Sequence, residues 1–216
     1  MGCCCSAPLP ELPAATAGEL DTLRNRGHLP CVAGPSVDFE GKNQLQTIYV
    51  AAYENGTELT LLFLDEDRPT ACEDCLYDTI RRPLFGRFSD IESLFIIGDK
   101  VEFPGTHAGE ANWTAKAPSH NESTLELSVF EKKEECPVLW INCWNHLIGE
   151  KNNNTKMDIT YQYAQPAGGI ESLENKDYVV RVGSREDVDA RFKGCITSLS
   201  KVMTAERQIK LGKRLI

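Results

Sequence analysis

A mainly β domain, a bent antiparallel sheet or barrel of about seven strands closed by one C-terminal helix, is what this sequence predicts. Three observations carry that expectation. Apolar runs of strand length recur from Leu45 to Val182, and the polar turns "KKEEC" and "GEKNNNTK" between them are too short for a crossover helix. Asn55-Gly56, the strongest short hairpin signal, stands between the first two runs. From Ser184 onward the apolar spacing lengthens to that of a helix.

Taken in order, "LQTIYVAAY" and "ELTLLFLDE" form a hairpin across "ENGT", and "ACEDCLYDTI" follows as a third strand. "GRFSDIESLFIIGDKVEF" carries Phe88, Ile91, Leu94, Phe95 and Ile97, and the polar "PGTHAGEANWTAKAPSHNES" after it reads as a long loop. "TLELSVFEK", "PVLWINCWNHL", "MDITYQYAQ" and "DYVVRVG" are the remaining strands, with short links that make them antiparallel neighbours. Trp113, Trp140 and Trp144 are expected to pack the core or cover a sheet face. Ser184 caps the final helix and Asp187, three residues on, completes a weak capping box. Val188, Phe192, Cys195, Ile196, Leu199, Val202 and Met203 form its buried stripe.

The chain opens "MGCCCS". Met1, Gly2 and Ser6 match M-G-x-x-x-[ST], the N-myristoylation signal, which places the acyl chain on the amine of Gly2. One myristoyl group binds a membrane only marginally, so stable residence needs a second anchor. Cys3, Cys4 and Cys5 are thiols in the position to receive it as S-palmitate. Residues 7–43 hold Pro8, Pro10, Pro13, Pro30 and Pro35 with little apolar period and read as a spacer containing one short helix near Gly18–Arg26. The expected organisation is therefore an acylation signal over 1–6, a Pro/Gly-rich tether over 7–43, a β domain over 44–212 and a tail over 213–216.

A formal net charge of −9 argues against nucleic-acid binding, which needs a basic footprint. Nine cysteines without a secretory leader point to a reducing compartment and free thiols. The one basic cluster is C-terminal: Lys201, Arg207, Lys210, Lys213 and Arg214 against Glu206, which offers an anionic-lipid surface as a further possibility.

The order of strands followed by one helix resembles the pleckstrin-homology-like superfold over residues 44–212. "FSDIESLFI" looks like its fourth strand, and "DYVVRVGSREDVDARFKGCI" like its last strand running into the helix that plugs an open corner. The helix Trp usual in that superfold is absent, and Phe192 is the nearest large residue. An acylated Met-Gly-Cys-rich terminus ahead of such a domain is also similar to the inner-membrane-complex sub-compartment proteins of alveolate protozoa. That resemblance implies a protein-interaction platform without a functional inositide pocket. The residues agree: Leu45–Asp67 has no Lys or Arg, while Glu54, Glu58, Asp65, Glu66 and Asp67 are acidic, so the donors a phosphate needs are missing.

Cys72-Glu-Asp-Cys75 is the one candidate reactive motif. Read as strand, cysteines and helix, it gives the alternative of a thioredoxin-like thiol-disulfide oxidoreductase. Against it, Glu73 and Asp74 disfavour a thiolate, and the later strands meander where a thioredoxin needs a crossover. One C-x-x-C is half a zinc site, and Cys136, Cys143 and His146 could complete it only if the strand alternation did not make them core residues. His28, His107, His120 and His146 have no nucleophile pattern beside them, so no catalytic residue, metal or cofactor is expected. The expectation is a non-enzymatic adaptor on the cytoplasmic face of a membrane (plasma membrane or inner membrane complex). It is held there by covalent lipid on Gly2 and Cys3, Cys4 or Cys5, and binds a protein partner and not phosphoinositides.

Overall fold

Three apolar runs build one antiparallel wall in the computed structural model: β2 (Leu45–Ala52), β3 (Gly56–Phe63) and β4 (Asp90–Ile97). The structure describes residues 11–35, 44–66, 70–87, 89–108, 121–133, 135–153, 161–166, 176–192 and 202–216. The hairpin signal before β3 holds, although Gly56 is there for a reason other than its turn. It carries no positive φ; a side chain at this position would collide with the carbonyl oxygen of Ile96 on β4. The next hairpin, into β5 (Lys100–His107), does need a left-handed residue, and Gly98 at φ 61° supplies it at the first position of a two-residue turn.

The remaining strands are β1 (Cys31–Pro35), β6 (Asn121–Glu126), β7 (Lys132–Lys133), β8 (Cys136–Ile141), β9 (Ile148–Gly149), β10 (Tyr161–Pro166) and β11 (Lys176–Val182). They curl the wall into a half-barrel in the order β1-β10-β11-β2-β3-β4-β5-β9-β8-β7, with β6 beside β5. A parallel β1–β8 ladder joins the two arms.

Two expectations are corrected here. The sheet is mixed, because β10–β11, β11–β2, β5–β9 and β1–β8 all run parallel. One of these ladders is made by β1, which comes from the segment read as a tether and inserts between β8 and β10, two runs that short links had suggested were neighbours. Residues 11–35 are thus part of the body. The short helix expected near Gly18–Arg26 is α1 (Ala17–Asn25), with a full capping box between Thr16 and Glu19. Leu23 and Val32 are wholly buried, and Tyr178 Oη donates 2.5 Å to the Pro30 carbonyl. The tether reading failed because Pro30 precedes the strand and Pro35 is its last residue, so neither interrupts it.

The expected third strand is also wrong. "ACEDCLYDTI" opens α2 (Ala71–Phe85), and Thr70 caps it: the Thr70 hydroxyl accepts from the Glu73 N–H at 3.3 Å and donates to the Glu73 carboxylate at 3.0 Å. After β11, the predicted capping box forms at Ser184 and Asp187, but α3 (Arg185–Asp189) is one short turn that ends at Ala190. Cys195, Ile196 and Leu199 of the expected stripe lie outside the described residues; Val202 and Met203 precede a separate helix, α4 (Ala205–Leu211). Asn55 at the β2–β3 tip answers the last carbonyls of α4, its N–H donating to Leu211 at 3.0 Å and its amide to Lys210 at 3.2 Å. The four terminal residues are anchored as well, Leu215 N–H donating 2.7 Å to the Ala52 carbonyl.

Both sheet faces are covered, which is why all eight residues of β3 are buried. The inner face gathers Ile48, Val50, Leu59, Leu61, Phe63, Leu94, Ile96, Val101 and Phe103 with Leu139 and Ile141 of the opposite arm. Each such side chain contributes about 1.5–3 kcal/mol on burial. On the outer face, Tyr49, Leu62, Ile91 and Val188 pack with Leu12 and Phe192, while Ala51, Tyr53 and Phe95 pack with Val202 and Leu211. Trp140 and Trp144 are buried as expected, and Trp113 lies outside the described residues. No described helix is long and apolar enough to cross a membrane.

Candidate functional site

Period-two alternation along β4 places Asp90 and Glu92 on the same face as Leu94 and Ile96, so two carboxylates point inward at one end of the half-barrel. Asp65 and Glu66, just past β3, are also buried there. Such a group is stable only if counter-charge is brought to it. α2 supplies it: the Arg81 side chain is 2% exposed, with Nη2 2.9 Å from Glu66 and 3.1 Å from Asp90, and Nη1 3.7 Å from Asp65. Tyr77, one turn earlier, donates its hydroxyl to Glu66 at 3.3 Å.

From the other side comes His146, in the turn between β8 and β9. Its ring stacks on Phe63 with centroids 3.8 Å apart, and its Nδ1 lies 2.9 Å from Asp90 Oδ2. An ionised carboxylate only accepts, so Nδ1 carries the hydrogen and donates. His146 sits at φ 55°, a left-handed backbone that a His adopts at some cost and that the Phe63 stack and the Asp90 bond hold in place. Burial alone would raise the Asp90 carboxyl; the hydrogen bond from His146 and the charge of Arg81 outweigh it and hold Asp90 below the usual carboxylate range. Glu92 goes the other way: burial and the neighbouring Asp90 charge push it well up. Neighbouring carboxylates with opposed protonation states are the raw material of acid–base chemistry. In this arrangement, however, Asp90 faces Arg81 and His146, and the effect is to clamp α2, the β8–β9 turn and the sheet together.

A second set lies on the outer face. Arg185, the first residue of α3, is buried; its N–H donates 2.6 Å to Glu58, its Nε 2.8 Å to Asp189 and its Nη1 2.9 Å to the Ile91 carbonyl. Glu58 also accepts from Tyr53 at 3.1 Å, and burial raises its carboxyl. Glu58, Asp65 and Glu66, counted from sequence only as acids that a phosphate site would not tolerate, are buried groups. Glu54 is exposed, and Asp67 lies outside the described residues.

The residues singled out from sequence fall in several places. Gly2, Cys3, Cys4 and Cys5 lie outside the described residues. Cys72 and Cys75 are exposed free thiols in the first two turns of α2. Cys136, Cys143 and His146 do not assemble with them: Cys143 is buried with Sγ 2.8 Å from Asn145 Oδ1, and no metal-binding group occurs among the described residues. His28 and His107 bond Thr57 and Glu150 respectively, and His120 lies outside the described residues. The basic C-terminal end is paired internally, Arg207 and Lys210 with Glu102 and Arg214 with Asp187, which reduces what it could offer to lipid phosphates. No protein-family model matches the chain, and no curated protein or solved structure matches it.

Proposed function

We propose that the chain is a membrane-anchored, non-enzymatic adaptor. N-myristate on Gly2 and S-palmitate on Cys3, Cys4 or Cys5 hold it to the cytoplasmic face of a membrane, the plasma membrane or an inner membrane complex. Its pleckstrin-homology-like body binds protein partners and not phosphoinositides. The observation that carries this is the terminal Met1-Gly2-Cys3-Cys4-Cys5-Ser6 run, followed after few residues by a folded body. The first hairpin's lack of Lys and Arg supports the exclusion of phosphoinositides. The curled wall and the capped turn after β11 support the pleckstrin-homology-like reading, and the parallel ladders around β1 and β11 are where the chain departs from it.

The test is where a fluorescently tagged full chain sits in cells. The wild type is expected on membrane, Gly2→Ala in solution, and the variant with Cys3, Cys4 and Cys5 all changed to Ser shifting among internal membranes, since one myristoyl chain binds only with about 10⁴ M⁻¹. Identical distributions for all three would sink the reading.

A thiol-disulfide oxidoreductase is the second reading, favoured by the exposed Cys72 and Cys75 at the start of a helix that follows a strand. It requires insulin disulfide reduction by the purified chain that Cys72→Ser abolishes. On the adaptor reading both proteins stay at the uncatalysed rate.

A further inference from the structure

Helix α2 is inside out. Its deepest described side chain is Arg81, and Asp74 is buried too, while Leu76 is 68% and Ile80 46% exposed and Pro83 is also exposed. At roughly 100° per residue, Cys72, Leu76, Ile80 and Pro83 share a stripe about 80° wide, with Cys75 on its flank and Arg81 on the opposite side. Arg81 and Asp74 thus face the sheet, and the apolar stripe faces out with both thiols and with the exposed Glu73 at its edge. Apolar side chains aligned in this way mark a contact surface more often than scattered ones do.

The fold also places this helix close to the chain's N-terminal segment. Past the end of α2, the Arg87 guanidinium lies 5.8 Å from the ring centres of both Phe85 and Phe192. Phe192 and Leu12 pack against one cluster, Tyr49, Leu62, Ile91 and Val188. Arg181 holds the Leu12 carbonyl at 2.6 Å, and Ala15 N–H donates 2.9 Å to Val180. The first described residues of the chain and the end of α2 therefore lie near the same outer-face cluster. Between Gly2 and Leu12 the chain can span at most about 35 Å, so a lipid on Gly2 keeps this end of the body near the bilayer.

We propose that the outer face of α2 lies on the membrane, Leu76 and Ile80 entering the interface, and that Cys72 and Cys75 are further S-acylation sites. This rests on the acylated-terminus reading given above. The co-reactant is a long-chain acyl thioester of coenzyme A. The cysteine thiolate attacks the carbonyl carbon, the new sulfur–carbon bond forms as the bond to the coenzyme's sulfur breaks, and the departing thiolate takes up the proton the cysteine lost. No electrons are exchanged with an oxidant. Cys72, Leu76, Ile80 and Pro83 offer apolar surface and a thiol, so the attachment proposed is through apolar side chains and covalent lipid.

The experiment is acyl exchange on the full chain expressed in eukaryotic cells. Free thiols are blocked after reduction, thioesters are cleaved with hydroxylamine, and each released thiol is tagged with a polyethylene glycol that adds one rung on a gel. The wild type gives a ladder; changing Cys72 and Cys75 to Ser removes its top one or two rungs; changing Cys3, Cys4 and Cys5 to Ser removes others. A Cys72→Ser, Cys75→Ser ladder identical to wild type overturns the proposal and leaves the terminal anchor standing. A wild type with no rung at all overturns both. In a parallel sample blocked without prior reduction, thiols that reductant releases in the wild type and not in the Cys72→Ser, Cys75→Ser variant also overturn it, in favour of a disulfide between Cys72 and Cys75.

Discussion

Arg81→Met is expected to lower the unfolding free energy by about 3–5 kcal/mol at neutral pH, the cost of stranding buried charge. The guanidinium is the counter-ion for Asp90 and Glu66 at hydrogen-bonding distance and for Asp65 slightly farther off. Burial lowers its pKa, but the carboxylates of Asp90 and Glu66 more than offset that, so it stays charged wherever the protein folds. Met fills much the same space and takes away the counter-charge, leaving Asp90 with only the His146 bond and Glu66 with the Tyr77 hydroxyl among the contacts described above. Urea unfolding followed by the fluorescence of buried Trp140 and Trp144 reads the global effect. Because α2 could detach while the sheet survives, amide exchange along residues 71–85 is the second readout. A loss below about 1 kcal/mol with unchanged exchange would mean that water already serves the acids, and the clamp would be refuted. Arg81→Lys is expected to recover only part of the loss, since one ammonium can stand for Nη2 between Glu66 and Asp90 but not also for Nη1 near Asp65.

That buried clamp shows where the sequence was readable and where it was not. Strand alternation, the Asn55-Gly56 hairpin and the Ser184 and Asp187 cap are local signals, and each appears in the structure. Thr70-x-x-Glu73 is equally local, yet the β-rich texture around it drew "ACEDCLYDTI" into a strand. Its apolar residues gave no help, because Leu76 and Ile80 mark the side that does not pack. A helix whose core-facing residue is Arg81 has a misleading pattern until the acids that receive Arg81 are known to be buried. Those acids come from Asp65, Glu66 and Asp90, separated in sequence by α2 itself, so only the β3–β4 pairing brings them together. The same applies to β1. Its register on β8 and β10 is set by contacts more than a hundred residues away, and a Pro-flanked "CVAG" reads locally as spacer. "SDIES" did hold a usable hint: two acids alternating with apolar residues inside a strand must either face water or find partners.

Acidification to pH 4 is expected to weaken the fold through His28 by about 3 kcal/mol, and His28→Asn should remove that contribution. His28 follows α1 and is buried, with Nδ1 2.8 Å from the Thr57 hydroxyl on β3 and its N–H donating to the Leu23 carbonyl at 2.9 Å. Burial, and secondarily the charge of Arg26, lower its pKa from 6.5 to about 4. The imidazole is thus neutral in the folded chain, while in the unfolded chain it takes up a proton below about 6.5. Between those two values the unfolded state binds more protons, so stability falls as pH falls; above pH 6.5 the contribution is fully present, and below about 4 it is fully lost. Glu58 and Glu92 work in the opposite sense, because carboxyls raised by burial favour the folded state as they protonate. They are the same in both proteins, so the difference between wild type and His28→Asn isolates the histidine. Urea unfolding at pH 7, 5.5 and 4 gives that difference directly. It should move against the wild type by about 3 kcal/mol across the range, most of it below pH 6. A difference independent of pH would show that His28 is solvated and protonates in place, and that the α1–β1 connection is not sealed against β3 as its burial requires.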